Sequence, residues 1–320
     1  MKKAALLGLT AGLALALLTL FGTGTGTASA DAGPHVVEAG ATPDKCAGCH
    51  RIHTGQNDFL LKDAGTVEQF CYSCHGNGGP GSDLAVQEGS FYGAAVPGDP
   101  YGGKAVSTTQ GLRAGGFESA RINTTDPGFE NIGVLAVTQA VTSWHTIDGV
   151  TAGTMWGNGA INSGAGPSYA LECTSCHDPH GNGQYRILRP VPQGSGAAVG
   201  VNVTDQPAPK VYSTTNYFLT GPVAGNQVSN WCSTCHTRYL SSSTTSTGDA
   251  IFSNRHRSDG SLGTTCTKCH AAHGTNADMP GTYSSTVPWP GGGVGTTDVN
   301  NSRLLKMDNR GICIKCHIGY

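Results

Sequence analysis

All twelve cysteines of the chain fall in one arrangement, C-x-x-C-H. The six copies are Cys46/Cys49/His50, Cys71/Cys74/His75, Cys173/Cys176/His177, Cys232/Cys235/His236, Cys266/Cys269/His270 and Cys313/Cys316/His317, numbered here as sites 1 to 6 in chain order. Two thiols on one turn of backbone can reach the two vinyl groups on one edge of a porphyrin and form thioethers. The histidine that follows then lies under the ring and offers a nitrogen to the iron. Zinc ribbons and disulfides also use paired cysteines, but neither needs a histidine directly after the second cysteine at every copy. The pattern therefore implies six covalently bound haem c groups.

An iron held this way has a sixth position, filled by methionine or histidine or left open for a substrate. After Met1 the chain has only Met155, Met279 and Met307, whereas six further histidines remain: His35, His53, His145, His180, His256 and His273. Six irons thus face six spare imidazoles, which are the expected distal ligands. Three sites carry the extended form C-x-x-C-H-x-x-H, ending at His53, His180 and His273. On a helical turn residues three apart point to one side, and the porphyrin covers that side. His180 is therefore expected on the iron of a neighbouring haem rather than on the iron of His177. Closing both axial positions lowers the reduction potential relative to methionine–histidine ligation and leaves no open coordination site. No catalytic residue is expected, and the chain reads as an electron carrier rather than an enzyme. A multihaem reductase would need one open iron.

The order lone His, C-x-x-C-H-x-x-H, C-x-x-C-H occurs three times, led by His35, His145 and His256. Fixed-order repetition of this kind describes architecture. The expected organisation is a leader over 1–30 and one hexahaem domain over 31–320, built from three dihaem repeats near 31–140, 141–250 and 251–320. With 48 glycines, 12% charged residues and long Ser/Thr runs, the chain has few large apolar side chains to offset the entropy of ordering its backbone. The fold expected is mostly coil, with short helices at the C-x-x-C-H motifs, few short strands and a core of stacked haems. Trp144 and Trp231 suit either haem packing or ordinary core.

Met1-Lys2-Lys3, an apolar run to Phe21 and the exit Ala28-Ser29-Ala30 have the parts of a secretory signal peptide, with an uncleaved anchor as the alternative. No later segment is apolar enough to cross a membrane. Export to the outer surface or the medium is expected, with the periplasm as alternative. A formal net charge of −2 and no basic patch argue against nucleic acid as a partner.

The stretches C-A-G-C-H-R-I-H, C-Y-S-C-H, C-T-S-C-H-D-P-H-G, W-C-S-T-C-H-T, C-T-K-C-H-A-A-H and C-I-K-C-H-I-G-Y, in that order, resemble those of the hexahaem outer-surface c-type cytochromes of metal-respiring bacteria. The resemblance covers the six attachment neighbourhoods and not residues 76–144, 185–228 or 275–309. It implies a continuous stack of parallel and T-shaped haem pairs with two histidines on every iron. It also implies a homopolymer, in which a histidine near one subunit's N-terminus completes a haem in the next; the matching position here is His53, which could equally serve its own chain. Other redox cytochromes or extracellular electron acceptors are the implied partners. A monomeric electron shuttle shares the same motifs.

Overall fold

Four short helices each carry an attachment motif or end in one. In the computed structural model they are α1 (Val67–His75), α2 (Cys173–Cys176), α3 (Gly225–Cys232) and α4 (Cys266–Cys269). The residues described are 35, 46–62, 65–77, 84–95, 104–112, 114–120, 139–204, 225–239, 249, 265–279 and 302–308. The leader and the site residues His256, Cys313, Cys316 and His317 lie outside them.

Cysteine, serine and threonine are weak helix formers, and one turn does not repay its nucleation in isolation. Local bonds hold each turn instead. The histidine N–H closes the turn onto the first cysteine's carbonyl: His50 on Cys46 at 2.8 Å, His177 on Cys173 at 3.0 Å, His236 on Cys232 at 3.0 Å and His270 on Cys266 at 2.9 Å. Thr66 caps α1 by accepting the Gln69 N–H at 3.1 Å, a typical N-cap use of a hydroxyl. The buried Ser229 of α3 accepts the Cys266 N–H at 3.0 Å, tying the starts of sites 4 and 5 together.

The expectation that His180 shares a helical turn with His177 is corrected by the structure. Helix α2 ends at Cys176, and His177 is already extended (φ −112°, ψ 145°). A turn presents His180: Asp178 Oδ1 accepts the His180 N–H at 3.1 Å, and Gly181 N–H closes onto the Asp178 carbonyl at 3.0 Å. The short aspartate side chain competes with helix for the backbone, and Gly181 takes φ +79° without cost.

Strands are few and short. β1 (Leu84–Ala85), β2 (Ser90–Ala95) and β3 (Lys104–Gly111) make one antiparallel sheet in that order. Three two-stranded pairs join β4 (Ser119–Ala120) with β5 (Gln139–Ala140), β6 (Ser143–Trp144) with β9 (Gly274–Thr275), and β7 (Gly153–Thr154) with β8 (Ser168–Tyr169). The β6–β9 pair sets Ser143 against Thr275 and Trp144 against Gly274, which brings His145 beside His273. A Cβ at Gly274 would lie 2.3 Å from the Gly116 carbonyl oxygen and 3.0 Å from Trp144 Cβ, so only glycine lets the two backbones approach there.

Among the described residues buried apolar side chains are sparse, and several lie beside the motifs. Leu61, Leu188 and Leu305 are each buried, and each forms an isolated β-bridge with the histidine of an extended motif: His50, His177 and His270 respectively. Ala277, Met279, Leu305 and Met307 form a cluster against Cys269, so two of the three late methionines serve as packing beside site 5. Trp144 is half exposed in β6, and Trp231 donates its indole N–H to the Arg189 carbonyl at 2.7 Å.

Candidate haem sites

The imidazoles come together in pairs. His50 faces His180 with ring centres 6.2 Å apart, His75 faces His35 at 5.8 Å, His177 faces His273 at 6.4 Å, and His236 faces His145 at 6.4 Å. Two metal–nitrogen bonds of about 2 Å, with about 1 Å of ring behind each nitrogen, set the ring centres of trans imidazoles roughly 6 Å apart. All four pairs have the span of two ligands sharing one metal. Each joins the histidine of a C-x-x-C-H motif to one of the spare histidines. Among the described residues no group of three or more His, Cys, Asp or Glu is gathered to hold a metal ion; the donors come two by two.

The tautomers suit that role. Five of these rings, and His270 besides, place Nδ1 on a backbone carbonyl: His50 on Phe59 at 2.7 Å, His177 on Arg186 at 2.8 Å, His270 on Arg303 at 3.0 Å, His236 on Trp156 at 2.6 Å, His35 on Pro179 at 2.8 Å and His145 on Ala272 at 2.6 Å. A carbonyl can only accept, so Nδ1 carries the hydrogen and Nε2 keeps its lone pair for a metal. His273 is held differently, stacked on Phe117 with ring centres 4.4 Å apart.

Burial keeps five of these rings neutral, as ligation requires. It is the main cause that lowers His273 to about 3 and His75 to about 4, and it lowers His145, His177 and His236 as well. For His75 the charges of His35, His177 and Arg186 add to the effect of burial. The thiols of successive motifs are neighbours too. Cys71 of site 2 bonds to Cys173 of site 3, and Cys232 of site 4 to Cys266 of site 5. The Cys49 thiol feels Cys74 and Cys71, and the Cys176 thiol feels Cys235. Sites 1 to 5 therefore follow one another in space in their order along the chain.

Residues 38–79 match the family model of the doubled CXXCH motif. That stretch spans sites 1 and 2 and is an attachment unit for c-type haem. A search of curated proteins gives no match. Among solved structures, the chain is similar to the outer membrane cytochrome S filament from Geobacter sulfurreducens at 18% identity and a TM-score of 0.34, over 86% of this chain and 98% of that one. A superposition that loose transfers no residue's role, so the roles here rest on the geometry of this chain.

The pairing follows a rule. In the first two units the lone histidine faces the plain motif of its own unit: His35 faces His75 and His145 faces His236. The second histidine of an extended motif faces the extended motif one unit earlier: His180 faces His50 and His273 faces His177. His270 is brought to the Arg303 carbonyl, and His53 is exposed; neither belongs to one of the four pairs. Cys46, Cys49, Cys74, Cys235 and Cys269 lie, like the cysteines already placed, at their turns.

One feature of the site escapes a reading by motif. After each extended motif the chain returns in a short loop ending Phe59-Leu60-Leu61-Lys62, Arg186-Ile187-Leu188-Arg189 or Arg303-Leu304-Leu305-Lys306. Its bonds repeat. The carbonyls of Leu60, Ile187 and Leu304 accept the N–H one past the motif histidine, from Arg51, Asp178 and Ala271 at 2.7, 2.7 and 2.8 Å. The N–H groups of Lys62, Arg189 and Lys306 return to the carbonyls of Cys49, Cys176 and Cys269 at 3.0, 2.8 and 2.9 Å. Arg189 Nε donates to the Thr174 carbonyl at 2.7 Å, and Lys306 Nζ donates to the Thr267 carbonyl. The loop turns through positive φ at Leu60 (56°), at Arg186 and Ile187 (54° and 52°) and at Arg303 and Leu304 (54° and 61°). Side-chain-bearing residues pay for that conformation, and here it aims a carbonyl at the proximal imidazole. The signal in the sequence is short: two apolar residues and a base, at a spacing that stretches from 11 residues past His50 and His177 to 35 past His270.

Proposed function

We propose that the chain binds six haem c groups, each gripped by two imidazoles, and carries electrons along them without transforming a bound molecule. When bound, each haem supplies a one-electron centre. The single observation that carries this reading is the set of four imidazole pairs at 5.8–6.4 Å, each joining a motif histidine to a spare one. The chain fixes the tautomer, excludes water from the buried rings and orders the attachment turns in one file. With both faces of an iron taken, no position is left for a substrate, which opposes the reductase reading. Carbon monoxide tests it: no binding at the four paired sites of the reduced holoprotein is expected, and strong binding at one of them would sink it. Mass spectrometry of the mature holoprotein should find six haems on a chain beginning at Asp31; fewer haems, or a retained leader, would correct the count or the export.

The pairing rule supports a further part of the reading, that copies join end to end outside the cell. Extended, it assigns His256 to His317 in the third unit. It sends the second histidine of each extended motif one unit back, from site 5 to site 3 and from site 3 to site 1. His53 has no earlier unit in its own chain, and site 5 is the iron left over. An adjacent copy supplies the match: His53 of one chain on the His270 iron of another. Ile52, 80% exposed and next to His53 in sequence, and Phe59, 61% exposed in the same return loop, offer apolar surface that such a junction would cover. Electron microscopy of material sheared from cells decides it. Uniform filaments that vanish in His53→Ala are expected; compact particles under all conditions would leave a monomeric shuttle.

A further inference from the structure

The three return loops differ in one side chain that the repeat makes comparable. The residue whose carbonyl holds the proximal imidazole is Phe59 at site 1, Arg186 at site 3 and Arg303 at site 5. Arg186 and Arg303 share a positive φ that Phe59 lacks, so the two arginine loops send the side chain off alike, while Phe59 leaves its loop toward solvent. Arg186 is half-buried, with its guanidinium 6.0 Å from the Tyr185 ring centre. Its charge is felt by His177 and His273, the two rings of site 3, and by His75 of site 2. The other charges around site 1 do not replace it. Lys62 has counterparts in Arg189 and Lys306, and the Arg51 guanidinium is exposed to solvent and donates to the Ala47 carbonyl, where water and salt screen it. Asp178, the site 3 counterpart of Arg51, lies 3.8 Å from His180, the distal ring of site 1.

We propose that Arg186 raises the reduction potential at the His177–His273 site, and that Phe59 leaves the His50–His180 site lower, so that electrons rest in the interior of the file and pass quickly through its exposed end. The inference rests on the reading that these pairs hold haem iron. Adding an electron removes one positive charge from the centre, and a half-buried cation on the residue whose carbonyl holds the His177 ring favours that change. The backbone carbonyl contributes equally at sites 1, 3 and 5, so the difference belongs to the side chain.

The test uses the mature holoprotein and three variants: Arg186→Gln, Arg186→Lys and Phe59→Arg. Haem content is measured first, and a shortfall in the parent would count against the haem reading rather than this one. Potentials are then followed by absorbance, with low-temperature electron paramagnetic resonance to separate the centres. The steep 72° between the His177 and His273 rings gives that centre a low-spin signal unlike those of pairs at 24° and 26°. Arg186→Gln should shift the reduced-to-oxidised ratio of the 72° centre about tenfold toward oxidised at a fixed potential, about 59 mV for one electron. Arg186→Lys should restore most of it, and Phe59→Arg should shift a near-parallel centre the opposite way. A fully loaded Arg186→Gln protein that titrates like the parent overturns the proposal. Should Arg186→Gln fail to load, Phe59→Arg decides: an unshifted titration overturns the proposal and a raised centre supports it.

Discussion

Sites 1 and 3 have the same motif, the same return loop and the same bond from Nδ1 to a carbonyl, yet they sit in different surroundings. At site 3 the distal ring comes from His273, nearly a hundred residues along, and is stacked on Phe117 and deeply buried. At site 1 the loop side chains Phe59 and Leu60 face solvent, and His53 of its own motif is exposed. The lesson is that a motif fixes how a ring is aimed, while the neighbouring unit decides how dry the ring is and what charge it sees.

The strongest way to break this contrast is to remove distal rings. His180→Ala should open site 1 in every molecule, seen as carbon monoxide binding by one haem more than in the parent, in monomer and filament alike. His53→Ala should leave site 1 closed and cost assembly instead. Equal effects of the two variants on carbon monoxide binding in dilute monomer would put His53 back inside its own chain.

Acid sharpens the same difference. His273 and His75 have folded pKa values of about 3 and about 4, below the unfolded value of about 6.5. The unfolded chain therefore takes protons first as pH falls. Stability from these two rings is complete above about pH 6.5 and declines progressively toward pH 3–4. In the holoprotein a ring must leave its iron before it takes a proton; denaturant midpoints across pH 7 to 3 should fall, and a flat profile would mean that the iron holds both rings against acid.

Packing gives a smaller effect. Leu188→Ala should cost ~2–4 kcal/mol in denaturant unfolding, because Leu188 is buried and bridged to His177. Leu61→Ala should cost less, since its neighbours Phe59 and Leu60 are exposed and the site can relax. The reverse order would mean that site 1 is the better packed. Smaller still, Ser229→Ala removes the acceptor for the Cys266 N–H at about 1 kcal/mol. An unchanged midpoint would show that water takes over that bond.

Much of the site was legible without coordinates. Cysteine spacing names the attachment turns, and the shortage of methionine points to imidazole as the second ligand. The coil-rich fold with short helices at the motifs follows from composition, and the described residues have that character. The return loops were not legible, because a pair of apolar residues before a base is common and the third loop lies 35 residues from its histidine. The helical explanation of His180 failed because Asp178 draws the backbone into a turn.

What the sequence alone determined is the inventory: which thiols and rings there are, and that each motif supplies a turn and an imidazole, because those depend on residues one to four apart. Which ring faces which was decided only in three dimensions. His145 meets its neighbours because β6 pairs with β9 about 130 residues away, and His180 meets His50 across two units of chain. An imidazole carries no local mark of its partner; the backbone pairing that delivers it is a property of the whole fold.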